Sequence, residues 1–387
     1  MSKRTLDAFF STASKRTKPA SSQNDPPTAP SKHETYPFPI ASLPANLQLA
    51  LNETPAGKAR VMNDRPDLDC LYFQPYIPRG TANELFRFLR AEIPFYRVVY
   101  FAKRGGVDVQ INTPRYTTVF GVDESAFFAE APSVDSENGE GYAAATPTAK
   151  TAKPGEEKST NSQPKHSEKT SYKSQNTHDS EKEYKTNNLR LYNKKDNTPI
   201  QPGKYGHSPR PIPACLHTLK KSIEIATKTT YNFVLVNYYT NGNDSIAFHS
   251  DDERFLGHEP SIASLSLGAE REFLLKHKPQ PAPWNPATVE KTKQSPTDMI
   301  KLLLGSGDMI LMRGSTQSNW LHSIPKRKGK VPVGGRINIT FRRAVVPAGT
   351  DNYYHYNVGS GGVWRWDAVK GEMVEIASRK DEDKGKG

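Results

Sequence analysis

The sequence predicts a mainly β domain with flanking helices, of the sandwich or barrel class, interrupted by long polar segments. Three observations predict it. Between residues 233 and 343 run FVLVNYYT, SIASLSLG, REFLLKH, IKLLLG, DMILMRG and RINITFRR, each short, β-rich and bounded by Gly, Pro, Asn or Asp. Many short strands at close spacing favour a sandwich or barrel over an alternating βαβ sheet. Two stretches, TANELFRFLRAEIPF and PACLHTLKKSIEIATKTT, repeat apolar residues at helical spacing. Residues 130–203 and 278–298, by contrast, nearly lose their apolar side chains.

Composition agrees with a domain plus polar segments. The chain has 387 residues, of which 35% are hydrophobic, and its net charge is +12. Its mean hydropathy is −0.72. A basic balance favours a polyanionic partner, with nucleic acid the first candidate. Two cysteines, Cys70 and Cys215, exclude a disulfide scaffold and a cysteine zinc cluster. No apolar run approaches the ~18 residues that cross a membrane, and the N-terminus lacks a secretory apolar core. The expectation is a soluble, intracellular monomer with no membrane association.

In order along the chain, residues 1–60 are rich in Ser, Thr, Pro, Lys and Ala and are expected to be a disordered tail. Within it, Leu6, Phe9 and Phe10 fall at i, i+3 and i+4, so one helical turn would present all three together. That triple resembles the peptide that binds the replication sliding clamp, with Lys3 where Gln is usual; chance spacing is the alternative. The nearby basic clusters, KRT and SKRTKP, suit nuclear import. Order is expected to begin near PDLDCLYF. RVVYFAKRGGVDVQI follows as a hairpin with Gly-Gly at its bend. A domain over 61–346 would then carry disordered insertions at 130–203 and 278–298. The extension 347–387 holds Tyr353, Tyr354, Tyr356, Trp364 and Trp366, which either stack on bases or, the favoured reading, pack on the barrel.

The chemistry concentrates in two motifs. In FHSDDE, His249 and Asp251 are two apart and share a side of an extended segment, while His322 in NWLHSIP comes 73 positions later. Two His and one carboxylate form the facial triad of non-haem Fe(II) oxygenases. In RINITFRR, Arg336, Asn338, Thr340 and Arg342 share one face and Ile337, Ile339 and Phe341 the other. Two arginines on the inner face of a small barrel need an anionic guest, and a dicarboxylate fits a guanidinium bidentately. Asn237 and Tyr239, also two apart, lie on the strand leading into the His249 loop.

Together HSDDE, SIASLSLGAEREF, NWLHSIP and RINITFR resemble the AlkB family of 2-oxoglutarate- and Fe(II)-dependent dioxygenases, nearest the eukaryotic members that demethylate alkylated DNA. The resemblance covers 62–130 weakly and 210–346 strongly. It implies a double-stranded β-helix, or jelly roll, with an N-terminal nucleotide-recognition hairpin. It implies that His249, Asp251 and His322 ligate iron. It gives the carboxylates of 2-oxoglutarate to Arg336 and Arg342, with Asn237, Tyr239, Asn338 and Thr340 beside them. Asp252 matches a position near the substrate base, where a carboxylate suits cationic 1-methyladenine or 3-methylcytosine; capping of the turn is the alternative. Tyr100, Phe101 and Ala102 match a base-flipping wedge, against the alternative of strand core. Arg115 would sit near phosphate or the lesion strand. The implied reaction consumes O₂ and 2-oxoglutarate and releases formaldehyde, succinate and CO₂.

Three rival readings are a zinc hydrolase on the same His₂Asp set, an inactive nucleic-acid adaptor, and the same chemistry on RNA or protein. The hydrolase leaves the paired arginines without a purpose, and the intact triad argues against the adaptor. Strand preference stays open. Arg313, Lys326, Arg327, Lys328, Lys330 and Arg343 are expected to flank the site and track a nucleic-acid backbone.

Overall fold

A computed structural model describes residues 29–131, 189–279, 299–327, 335–359 and 361–377. Two β-sheets face one another. The larger has ten strands, in the order β1 (Arg60–Met62), β2 (Cys70–Phe73), β14 (Met309–Met312), β11 (Ile262–Gly268), β16 (Arg336–Arg342), β9 (Phe233–Tyr239), β6 (Tyr116–Gly121), β3 (Phe95–Tyr96), β17 (Val363–Asp367) and β18 (Glu372–Ala377), and the smaller four, in the order β10 (Ile246–His249), β15 (Trp320–Ile324), β12 (Arg271–His277) and β13 (Ile300–Leu304). At the centre of the large sheet, β9 (Phe233–Tyr239) and β16 (Arg336–Arg342) run antiparallel. Their register sets Arg336 opposite Tyr239, Asn338 opposite Asn237 and Thr340 opposite Leu235. Residues opposite one another share a face. The inner surface therefore carries a polar line and the outer surface an apolar one.

The outer face packs on helices. α2 (Arg79–Glu92) buries Ala82, Leu85, Phe86 and Leu89, spaced i, i+3, i+4, i+7, and α3 (Ala214–Thr227) buries Leu216, Leu219 and Ile223. These join Val234, Val236, Ile337, Ile339 and Phe341 in one core. A second core fills the space between the sheets. Phe233, Leu235 and Ile310 from the large sheet meet Phe273, Leu275, Leu304 and Ile324 from the small one. The small sheet is built from β10 (Ile246–His249), β12 (Arg271–His277), β13 (Ile300–Leu304) and β15 (Trp320–Ile324). This is the expected jelly roll, and each of the six β-rich runs is a strand.

Three boundaries differ from expectation. Residues 29–60 are not a tail. Ile40, Leu43, Leu47 and Leu51 are buried in the outer core, the last two on helix α1 (Ala45–Asn52). Leu47 and Leu51, four apart, share one face of that helix, which the polar composition around them hides. The segment 130–203 is not wholly an insertion. β7 (Ala126–Glu130) pairs with β8 (Leu189–Asn193), Glu130 opposite Leu189, and residues 194–203 are also described. The described part of the extension, residues 347–359 and 361–377, is built into the fold. After helix α5 (Asp351–Asn357), β17 (Val363–Asp367) pairs with β3 (Phe95–Tyr96) and with β18 (Glu372–Ala377). Tyr354 is buried, while Trp364 and Trp366 pack against the outer core.

Candidate active site

His249 ends edge strand β10 and pairs directly with His322 on β15. Cross-strand partners sit close, and here the ring centroids are 4.2 Å apart. Asp251 follows in the loop. Its carboxylate lies 3.9 Å from His249 Nε2 and 3.8 Å from His322 Nε2. One donor atom from each of the three falls within 4.8 Å of the others. His249 Nδ1 is 2.9 Å from the Ala247 carbonyl, which fixes the ring with Nε2 toward the cluster. The Asp251 N–H donates to Gln317 Oε1 at 2.9 Å, and Gln317 is itself buried on the short helix α4 (Thr316–Asn319).

Electrostatics favour a cation there. Burial pushes the His322 imidazole down to about 3, so it is neutral and free to act as a lone-pair donor. Burial pushes the Asp251 carboxyl up. Arg342, His322 and His249 outweigh it and hold the group below the usual carboxylate range. Two neutral-capable imidazoles and a carboxylate leave open positions on a bound metal, the donor set of non-haem iron.

A cavity of about 440 Å³ joins this cluster to the polar line of β16. Arg336 is 1% exposed and lies over the Tyr239 ring, 5.4 Å from guanidinium carbon to centroid. Its Nη2 donates to Ser266 Oγ at 2.9 Å, but Nε and Nη1 are buried with no hydrogen-bond partner among the described residues. Burial pushes Arg336 down to about 10. A carboxylate supplies what those two nitrogens lack. The residues thus fit both a metal and a 2-oxoglutarate-like guest.

Arg342 behaves differently from Arg336, although both were expected to bind the same molecule. Its Nη2 is 3.1 Å from Asp251 Oδ1, and its Nη1 donates to the Tyr353 hydroxyl. It is tied to the triad. Asn237 Oδ1 accepts from Arg115 Nε at 2.7 Å, which brings Arg115 into the cavity wall. Asn338 Nδ2 donates to Ser264 Oγ and the Leu265 carbonyl, and Thr340 Oγ1 to the Leu235 carbonyl.

Asp252 is a correction. It is exposed, bonded to Lys278 Nζ at 2.6 Å, and does not line the cavity; Glu253 does. Successive residues of an extended segment alternate sides, so Asp251 and Glu253 face inward together and Asp252 outward. The basic flank is also corrected. Arg313 pairs with Asp69 at 2.7 Å and Arg343 with Glu124, while Lys326 and Arg327 remain exposed. Lys328 and Lys330 lie outside the described residues.

Tyr100, Phe101 and Ala102 lie in β4 (Val99–Arg104), which among the described residues pairs only with β5 (Val107–Asn112). By register Tyr100 and Ala102 belong to one face of this ribbon and Phe101 to the other. Thr113, Pro114 and Arg115, which follow β5, line the cavity. Leu6, Phe9 and Phe10 lie outside the described residues. The sequence reading assigned no site role to Glu253, Gln317, Asn352 and Asn357, of which all but Gln317 line the cavity; Tyr353 and Tyr356, for which packing was favoured over stacking, line it too.

A family-level match, to the 2OG-Fe(II) oxygenase superfamily, runs over residues 140–342. The chain belongs to that superfamily, whose cofactors are Fe(II) and 2-oxoglutarate. It is similar to the human alpha-ketoglutarate-dependent dioxygenase alkB homolog 3, 41% identical over 33% of this chain and 41% of that protein. It is also similar to the DNA oxidative demethylase ALKBH2 of Bos taurus, 33% identical over 40% of this chain and 56% of that one. The ALKBH2 of Arabidopsis thaliana is 36% identical over 34% and 43%. The chain thus spans about half or less of the length of these relatives.

Proposed function

We propose that this protein is an Fe(II)- and 2-oxoglutarate-dependent dioxygenase that oxidatively demethylates N-alkylated bases, of the 1-methyladenine and 3-methylcytosine type, in DNA. One observation carries the reading: a His₂Asp cluster and a buried, under-partnered Arg336 share one cavity. A zinc hydrolase has no use for Arg336. The net charge of +12 and the relatives that act on DNA support a nucleic-acid substrate.

In this reading His249, Asp251 and His322 hold the iron. Arg336 takes a carboxylate of 2-oxoglutarate, with Tyr239 beneath its guanidinium. Arg342 fixes the Asp251 carboxylate and keeps it ionised. Asn237, Asn338 and Thr340 complete the polar wall. The iron, with O₂ and 2-oxoglutarate, supplies the oxidation of an N-methyl group, whose carbon departs as formaldehyde alongside succinate and CO₂. The jelly roll holds the reactants in one orientation and excludes bulk water.

The test is formaldehyde release from 1-methyladenine oligonucleotides, DNA beside RNA, with and without Fe(II) and 2-oxoglutarate. Release from DNA that requires both is expected. Release from RNA alone, or without either cofactor, would overturn the proposal.

A further inference from the structure

Helix α5 lies past the end of the family-level match at residue 342, yet it forms part of the cavity wall. Its residues Asn352, Tyr353, Tyr356 and Asn357 all line the cavity that holds the His₂Asp cluster. That i, i+1, i+4, i+5 spacing is one face of a helix. The opposite face anchors it. Tyr354 is 1% exposed, donates its hydroxyl to the Gly121 carbonyl at 2.7 Å and accepts from the Arg210 N–H at 2.8 Å. Thr117 Oγ1 donates to the Asn357 carbonyl at 2.8 Å, and the Gly206 N–H donates to Asp351 Oδ2 at 3.0 Å.

The cavity face is graded in depth. Tyr353 is sunk between strands and loop: its hydroxyl donates to Glu253 Oε1 at 2.7 Å and accepts from Arg342, which in turn grips Asp251. Glu253 Oε2 is buried without a partner in the same wall. Tyr356, one turn on, is 47% exposed and lies at the solvent side of the same cavity. The wall thus passes from charge beside the triad to an open aromatic ring at the mouth.

We propose that α5 is the substrate-side wall of the site, with Tyr356 as the stacking platform for the target base and Asn352 beside it. This rests on the demethylase reading above and assigns its substrate contact to the C-terminal extension. An aromatic face accepts any base by stacking. An amide offers both a donor and an acceptor to a base edge. An unpartnered carboxylate oxygen at Glu253 suits a cationic, donor-bearing ring. Tyr353 is a positioning residue that holds this wall to Arg342.

The test uses the full chain and a fluorescently labelled single-stranded oligonucleotide carrying one 1-methyladenine. Binding is read by anisotropy, KM by formaldehyde release, and folding by thermal melting. Tyr356→Ala should weaken binding and raise the oligonucleotide KM about five- to tenfold, the low end for one stacked base. Tyr356→Phe, which keeps the ring, should match the parent. The 2-oxoglutarate concentration for half-maximal rate should stay with the parent's in both. Parent-like binding by Tyr356→Ala would overturn the proposal, as would equal losses in Ala and Phe variants. A parent that releases no formaldehyde from any methylated nucleic acid would instead sink the demethylase reading before any variant is compared.

Discussion

Arg336 shows how much one side chain reveals. A buried guanidinium with two unpartnered nitrogens is costly in the empty protein and useful only when an anion arrives. Arg336→Ala should therefore leave the melting temperature of the cofactor-free protein unchanged or higher. The rise in melting temperature on adding 2-oxoglutarate should vanish, and the concentration needed for turnover should climb about ten- to a hundredfold, from ~1.5–3 kcal/mol for a charge-assisted bond. An undiminished 2-oxoglutarate response would remove this residue from the site. Arg336 was legible in the sequence because strand alternation isolates it on a polar face. Its contrast with Arg342 was not, since Arg342's partners, Asp251 and Tyr353, come from a distant loop and a later helix. Asp252 misled for a local reason: of two adjacent acids only one parity faces inward, and the loop continues the alternation of β10 through Glu253.

At the scale of elements, strands bounded by Gly and Pro were readable because alternation and turn chemistry are local. Helix α1 was not, because its two buried apolar residues, Leu47 and Leu51, are diluted by polar neighbours and matter only against α2 and α3. The β4–β5 ribbon was legible down to its Gly105–Gly106 turn, where both residues adopt positive φ, 59° and 83°, as a two-residue hairpin bend requires. Because the ribbon pairs with no other strand among the described residues, replacing Tyr100 and Phe101 by Ala should barely move the melting temperature. If they fill the gap beside an extruded base, the loss should fall on methylated duplex more than on single strand, about tenfold or more given an unstacking cost of a few kcal/mol. An unchanged duplex-to-single-strand ratio with a lowered melting temperature would return both residues to the fold. Their placement on opposite faces further predicts that the two single variants differ.

Across the whole molecule, stability should depend on acid in a set direction. Burial, with Lys220 and Lys221, pushes His217 down to about 4, and burial also lowers His33. Between pH 6.5 and 4 the unfolded chain takes up a proton at His217 that the folded chain does not. Stability is thus present above the unfolded value and falls as pH drops through that window, by at most about 1.4 kcal/mol per pH unit per histidine. His217→Gln should flatten the decline in melting temperature over that range; an identical slope would show His217 protonated in the fold. A second expectation concerns residues 132–188, which in sequence join the paired strands β7 and β8. Replacing them with a short Gly-Ser turn leaves the ladder intact and shortens the closure, worth ~0.6 kcal/mol per halving. The melting temperature should hold or rise, and a marked drop would mean that the segment packs on the core.

The placement of His249 has a kinetic consequence. His322 lies in a strand flanked on both sides, whereas His249 ends a four-residue edge strand with an irregular register and keeps 32% of its side chain exposed. Edge strands open at a lower free-energy cost than the interior. A metal held between the two, as proposed above, would have a built-in exit, its escape timed by the breathing of β10 rather than by the scavenger waiting outside. Extraction by a chelator should speed up with chelator concentration only to a plateau, well above the rate of global unfolding. A rate that keeps rising linearly would mean that the ion leaves without the strand.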